Sequence, residues 1–190
     1  MPANTSLIGY VVAQAVAENV FMGAILITDC YGMPAEFRYT EPVRATKIQK
    51  ILYGDVLEKY ILCDVIAANL TEKLEQKPEI MVVSDYRLLT AFEGKSARAV
   101  ELLQTRVPPL KEYGATQDVS PGEFLVQLSE TGSPVRGRFL SVGGAPDTAK
   151  QSESVRSLSA AGKTMEILEP LVRVQGALQM LWEDVPEFPV

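Results

Sequence analysis

The sequence predicts a mixed α/β fold on the border of α+β. An N-terminal antiparallel meander of three strands leads into helix–strand crossovers, and helices close the chain. Three observations carry this reading. The first forty residues hold valine-rich apolar runs separated by short turns. Helix start signals then alternate with short buried-strand runs. Beyond the glycine- and proline-rich stretch Gly143-Gly144-Ala145-Pro146, strand patterning stops and helical patterning begins.

Taken in order, Ile8 to Ala17 is the first strand, Glu18-Asn19 a turn and Phe21 to Thr28 the second strand. Asp29 to Pro34 carries turn residues. Ala35 to Thr40 alternates, with Phe37 and Tyr39 on one face and Glu36, Arg38 and Thr40 on the other. Thr40-Glu41-Pro42 starts a helix in which Ile48, Ile51 and Leu52 recur at helical spacing. Tyr60 to Ala67 fits either a helix apolar nearly all round or a short buried strand, and Asn69 with Glu72, which offer a fresh helix cap after it, favour the strand. Glu79 to Ser84 is a buried strand, Leu88 to Phe92 a helical turn and Ala97 to Leu103 a further strand. Phe124 to Leu128 and Val135 to Val142 suggest a hairpin. Helices are predicted over Asp147 to Ala160 and Lys163 to Trp182, the second kinked or split at Pro170. The chain therefore divides into an α/β core over 1–142 and, over 143–190, a linker and helical appendage packed on the same domain.

Composition sets limits on the chemistry. The 190 residues suit one domain with a real core, and no apolar run has transmembrane length. The two cysteines, Cys30 and Cys63, form neither a disulfide framework nor a zinc motif. They read as buried, reduced thiols of a cytoplasmic protein. There is no histidine, which removes Ser-His-Asp and Cys-His catalysis and imidazole metal sites. The net charge of −6 makes nucleic acid an unlikely partner, and no membrane segment is expected.

The remaining chemistry rests on carboxylates and arginines. Asp85 follows a buried strand, where ligands of open α/β sheets bind. Asp64 interrupts an apolar run, so it must be paired, exposed or functional. With Asp29 in the first loop, these residues are the candidate metal ligands, and Asp64 and Asp85 the candidate catalytic groups. Arg38, Tyr39, Arg44 and Lys47 form a local basic and aromatic stretch suited to a small anionic ligand. The tail from Leu181 to Val190 carries Trp182 and Phe188 among acids and prolines, the pattern of an interface segment. The triplets Gly94-Lys95-Ser96 and Gly162-Lys163-Thr164 lack the earlier glycine of a phosphate loop.

Over about residues 7–103, this order of elements resembles the ribonuclease H-like arrangement. The resemblance implies a carboxylate site, with an aspartate on the first strand. Ile8 to Ala17 contains none, and Asp85 matches only a later carboxylate. With no catalytic motif, the sequence favours a non-catalytic binding or regulatory domain with no cofactor, acting as a homo-oligomer or with a protein partner. The alternatives are a carboxylate-based, divalent-metal phosphodiester or phosphate hydrolase and a small-anion site at Arg38–Arg44.

Overall fold

The computed structural model describes residues 6–95, 98–140 and 148–185. β1 (Ile8–Ala17), β2 (Val20–Thr28) and β3 (Pro34–Tyr39) form the predicted antiparallel meander. Its first turn needs a left-handed residue, and Asn19 takes it at φ 61°. A two-residue strand, β4 (Val43–Arg44), returns to β2. β5 (Ile80–Val83) and β6 (Arg98–Gln104) then lie parallel to β1, as the helix–strand alternation required. β7 (Thr116–Ser120), β8 (Glu123–Val126) and β9 (Val135–Arg138) complete one sheet ordered β3-β2-β1-β5-β6-β9-β8-β7. β8 and β9 are the predicted hairpin. β7, exposed at every residue, carried no apolar signal.

Helices cover both faces. Tyr10, Val12, Ala24 and Val82 pack beneath α4 (Thr148–Ala161) and α5 (Glu169–Glu183), against Leu158, Val174 and Leu178. Pro170 does not kink a helix: it stands in the first turn of α5, where its missing N–H costs nothing. Trp182 packs partly buried against this core. Phe188 and the stretch Gly143–Pro146 lie outside the described residues.

The opposite face carries a helical run of α1 (Lys47–Tyr53), a 3-10 turn, α2 (Leu57–Tyr60), a π-helical segment (Ile61–Ala67) and α3 (Ala68–Glu72). The strand expected over Tyr60 to Ala67 is thus a helix. Ile61, Leu62, Cys63, Ile66 and Ala67 are all buried, because the segment is packed between the sheet and the 3-10 stretch Tyr86–Phe92. A helix buried nearly all round shows no amphipathic period. α1 is the converse: its helical spacing is present, yet none of its residues is buried. Cys63 is buried and Cys30 half-buried, and both are free thiols. Among the described residues no helix is long and apolar enough to cross a membrane.

Candidate active site

The parallel strands differ in length, and that difference makes a notch. β5 ends at Val83, paired with Val11, whereas β1 continues to Ala17. On the other side β6 continues past Glu101, the partner of Val83, to Gln104. Ser84 N–H still donates to Val11 O, after which the chain turns away. Asp85, in extended conformation, caps the following 3-10 segment by accepting from Arg87 N–H at 2.8 Å. It therefore sits at the carboxyl end of the central strand, the position where open α/β sheets bind ligands.

Glu101 stands beside it. Val100 and Leu102 point to the α5 side, so Glu101 points to the opposite face and toward the turn after β5. It is 5% exposed. Burial pushes its carboxyl above the ordinary glutamate range, against the pull of Arg138 and the Tyr86 amide, and the Asp85 charge raises it further. Arg138, directly across from Glu101 on β9, places Nη1 3.2 Å from Oε2. The contact is ionic, and Oε2 accepts no hydrogen bond. Arg138 also lies 4.2 Å over the Tyr86 ring and reaches Glu123, which Arg136 holds at 2.5 Å.

Arg87 joins Asp85 to the helical layer. Its Nε lies 3.1 and 3.0 Å from the two Asp85 oxygens, its Nη2 2.7 Å from Oδ2, and its Nη1 2.9 Å from Glu58 Oε1 on α2. These bonds hold Asp85 below the ordinary aspartate range. Behind the pair, the Cys63 thiol donates to Arg87 O at 3.1 Å, and burial raises its pKa.

The other predicted site residues lie elsewhere. Asp29 follows β2 at the amino end of β1, where Thr28 pairs with Ile8, and accepts from Tyr31 and Met33 N–H in its own turn. It is level with residue 7 and Asp85 with residue 13, so about 20 Å of strand separates them. Asp64 is exposed on the π-helical segment, not on a strand beside β5. The expected convergence of Asp29, Asp64 and Asp85 is therefore absent. Arg38 is engaged by Glu36 at 2.5 Å and Glu75 at 2.9 Å. Tyr39 is 49% exposed and lines a cleft of about 600 Å³ with Arg38, while Arg44 lines a separate one of about 440 Å³ with Tyr39. Lys47 begins α1 and lines neither.

A divalent cation is what this donor chemistry would take, and the residues set its terms. Among the described residues no group of three or more His, Cys, Asp or Glu is placed to hold an ion. β1 contributes only buried Tyr10, Val11, Val12 and Ala13 at this depth. A centre built wholly from protein carboxylates does not fit. One hydrated cation does, since Mg²⁺ keeps several waters and takes one or two carboxylates. Asp85 and Glu101 supply that pair; Glu101 Oε2 is a buried acceptor that lies 3.2 Å from Arg138 Nη1 but accepts no hydrogen bond.

Glu101 also makes stability depend on pH. A carboxyl whose folded pKa is raised binds more protons folded than unfolded, so stability falls as pH rises from the unfolded value through the folded one. Asp85, Glu36 and Glu123, whose carboxyls are lowered, slope the other way, so the contribution is read as a difference: in urea unfolding between about pH 4 and 8, Glu101→Gln should gain on the parent as pH rises and be the more stable at neutral pH. A variant less stable at neutral pH would contradict a costly buried charge.

No family model matches the chain, and no curated protein matches it. Solved structures do. Human endonuclease V aligns over 95% of this chain and 86% of its own, with a TM-score of 0.60 at 12% identity. Endonuclease V of Ciona intestinalis, in complex with a 23mer DNA containing an inosine followed by a ribo-adenosine, aligns over 96% and 88%, with a TM-score of 0.57 at 9% identity. The Streptomyces avermitilis enzyme aligns over 97% and 84%, with a TM-score of 0.55 at 12% identity. The fold is thus the ribonuclease H-like arrangement of the endonuclease V structures. Two expectations are corrected by these likenesses. The preference for a non-catalytic binding or regulatory domain gives way to the hydrolase alternative, because the full-length likenesses are to nucleases. The expectation that nucleic acid is an unlikely partner, drawn from net charge, gives way too, because a chain of this fold is seen holding DNA. Net charge averages the surface, whereas phosphate contacts depend on where cations stand.

Proposed function

We propose that this chain hydrolyses phosphodiester bonds of nucleic acid at the notch beyond β5, with one divalent cation held by Asp85 and Glu101. Support comes from the placement of Glu101 on β6, level with Val83 at the end of β5, next to the turn that carries Asp85 two residues further on; Glu101 is buried, and its Oε2 faces Arg138 but accepts no hydrogen bond. When bound, the cation supplies Lewis-acid polarisation of a phosphoryl oxygen. The chain's own groups do the rest. Arg138, steadied over Tyr86, and Arg136 beside it on the same strand present guanidinium groups suited to phosphate oxygens. Asp85 is kept ionised by Arg87, and so is ready as an oxygen donor at neutral pH. The endonuclease V likenesses support nucleic acid as the substrate class.

The test is incubation of the purified chain with end-labelled single-stranded DNA, duplex DNA and RNA in millimolar Mg²⁺ or Mn²⁺. Cleavage of at least one substrate, abolished by EDTA, is expected. Intact substrates under every condition would sink the proposal.

A further inference from the structure

The notch is closed by one of its own side chains. Arg87 sits two residues after Asp85, and the tight turn into the 3-10 segment folds its guanidinium back across the carboxylate. Both Asp85 oxygens are engaged, three guanidinium contacts falling between 2.7 and 3.1 Å. The remaining nitrogen, Nη1, is held separately by Glu58. A cation cannot take Asp85 as ligand while the guanidinium covers both oxygens, because the two positive charges would share one site.

We propose that Arg87 is the resting counter-ion of the Asp85 site, and that cation entry moves it from Asp85 onto Glu58 alone. This rests on the reading of Asp85 as a cation ligand. Solvent reaches all three side chains, which are 31% exposed at Asp85, 43% at Arg87 and 51% at Glu58. Ion pairs this exposed are weak, so a dication competes with them on equal terms. Glu58 gives the displaced guanidinium a second partner and keeps it at the rim of the notch. The cost of displacement is therefore one partner rather than two. The device makes cation occupancy conditional: it filters out weak binding and sets a threshold concentration for activity.

Calorimetric titration of Mn²⁺ into the intact chain and its variants tests this without any activity assay. Arg87→Gln should bind Mn²⁺ about tenfold more tightly than the parent, within the usual span of site couplings. Arg87→Lys, which keeps the charge but not the planar fork, should fall between them. Glu58→Gln should weaken binding severalfold, since Arg87 then has only Asp85 to hold. Thermal melts confirm that each variant is folded. If the parent binds Mn²⁺ and folded Arg87→Gln binds no better, the resting-counter-ion idea is overturned while the cation site stands. If neither the parent nor Arg87→Gln binds Mn²⁺, both fall together.

Discussion

Asp85→Asn is expected to reduce cation-dependent cleavage by about 10²-fold or more, since losing even an outer partner of a metal ligand commonly costs ten- to a hundredfold. The variant should fold. Asparagine keeps the shape of aspartate, and its Oδ1 can still accept the Arg87 N–H that caps the 3-10 segment. What goes is the charge that a cation requires. Asp29→Asn and Asp64→Asn are the informative controls. The first lies at the opposite end of the strands and the second on an exposed helical position, so both should cleave like the parent. Initial rates on one labelled substrate, with melts to show equal folding, decide the matter. Equal loss in all three variants would point to a cause other than the notch.

The second large effect is on the fold that builds the notch. Gly23 lies in the middle of β2, under the π-helical segment. A Cβ there would come within 2.3 Å of Ile66 Cγ2 and 3.0 Å of Val12 O on the neighbouring strand. The backbone oxygen cannot move without disturbing β1, and Ile66 is fully buried. Gly23→Val should therefore cost about 3 kcal/mol, the upper part of the range for overpacking. In a chain of this size that is a fall in Tm of about 10 °C. Gly176→Ala is the counter-case. It sits within α5 with nothing inside 4 Å of a new Cβ, so it should stabilise by about 0.5–1 kcal/mol through helix propensity. Denaturant unfolding of the two variants reads both signs. A neutral Gly23→Val would mean that the π-helical segment is not pressed against β2.

The sheet was legible because its strands obey simple rules. β2 and β5 are apolar runs of strand length, β1 is broken only by Gln14, and the turns between the first three carry Asn, Asp, Gly and Pro. The segment Ile61–Ala67 was not legible, for a reason of geometry. It is buried on nearly every side, and its π-helical winding replaces the 3.6-residue period with a longer one. Misreading it as a strand also misplaced Asp64, which seemed to sit on a strand beside Asp85.

At the site, Asp85 could be found from sequence because strand-end carboxylates have a defined role in such folds. Glu101 was missed, although it breaks the run Ala99 to Leu103 much as Asp64 breaks its own. The rule that a charge inside an apolar run must be paired or functional applied to both. Only the strand carrying Glu101 proved to be a strand. Its neighbours, Asp85 and Arg138, lie 16 and 37 residues away in sequence, and only the parallel pairing with β5 and the antiparallel pairing with β9 bring them together. Arg87 was within reach of the eye, two residues from Asp85, but nothing local says that it folds back.

Crystals grown with millimolar Mn²⁺ and measured at the manganese absorption edge show directly whether Asp85 and Glu101 hold a cation together, as proposed. One anomalous peak is expected, within about 2.5 Å of a carboxylate oxygen from each residue, with Arg87 turned from Asp85 toward Glu58. A notch without a peak at saturating Mn²⁺, with Arg87 still across both Asp85 oxygens, would contradict it.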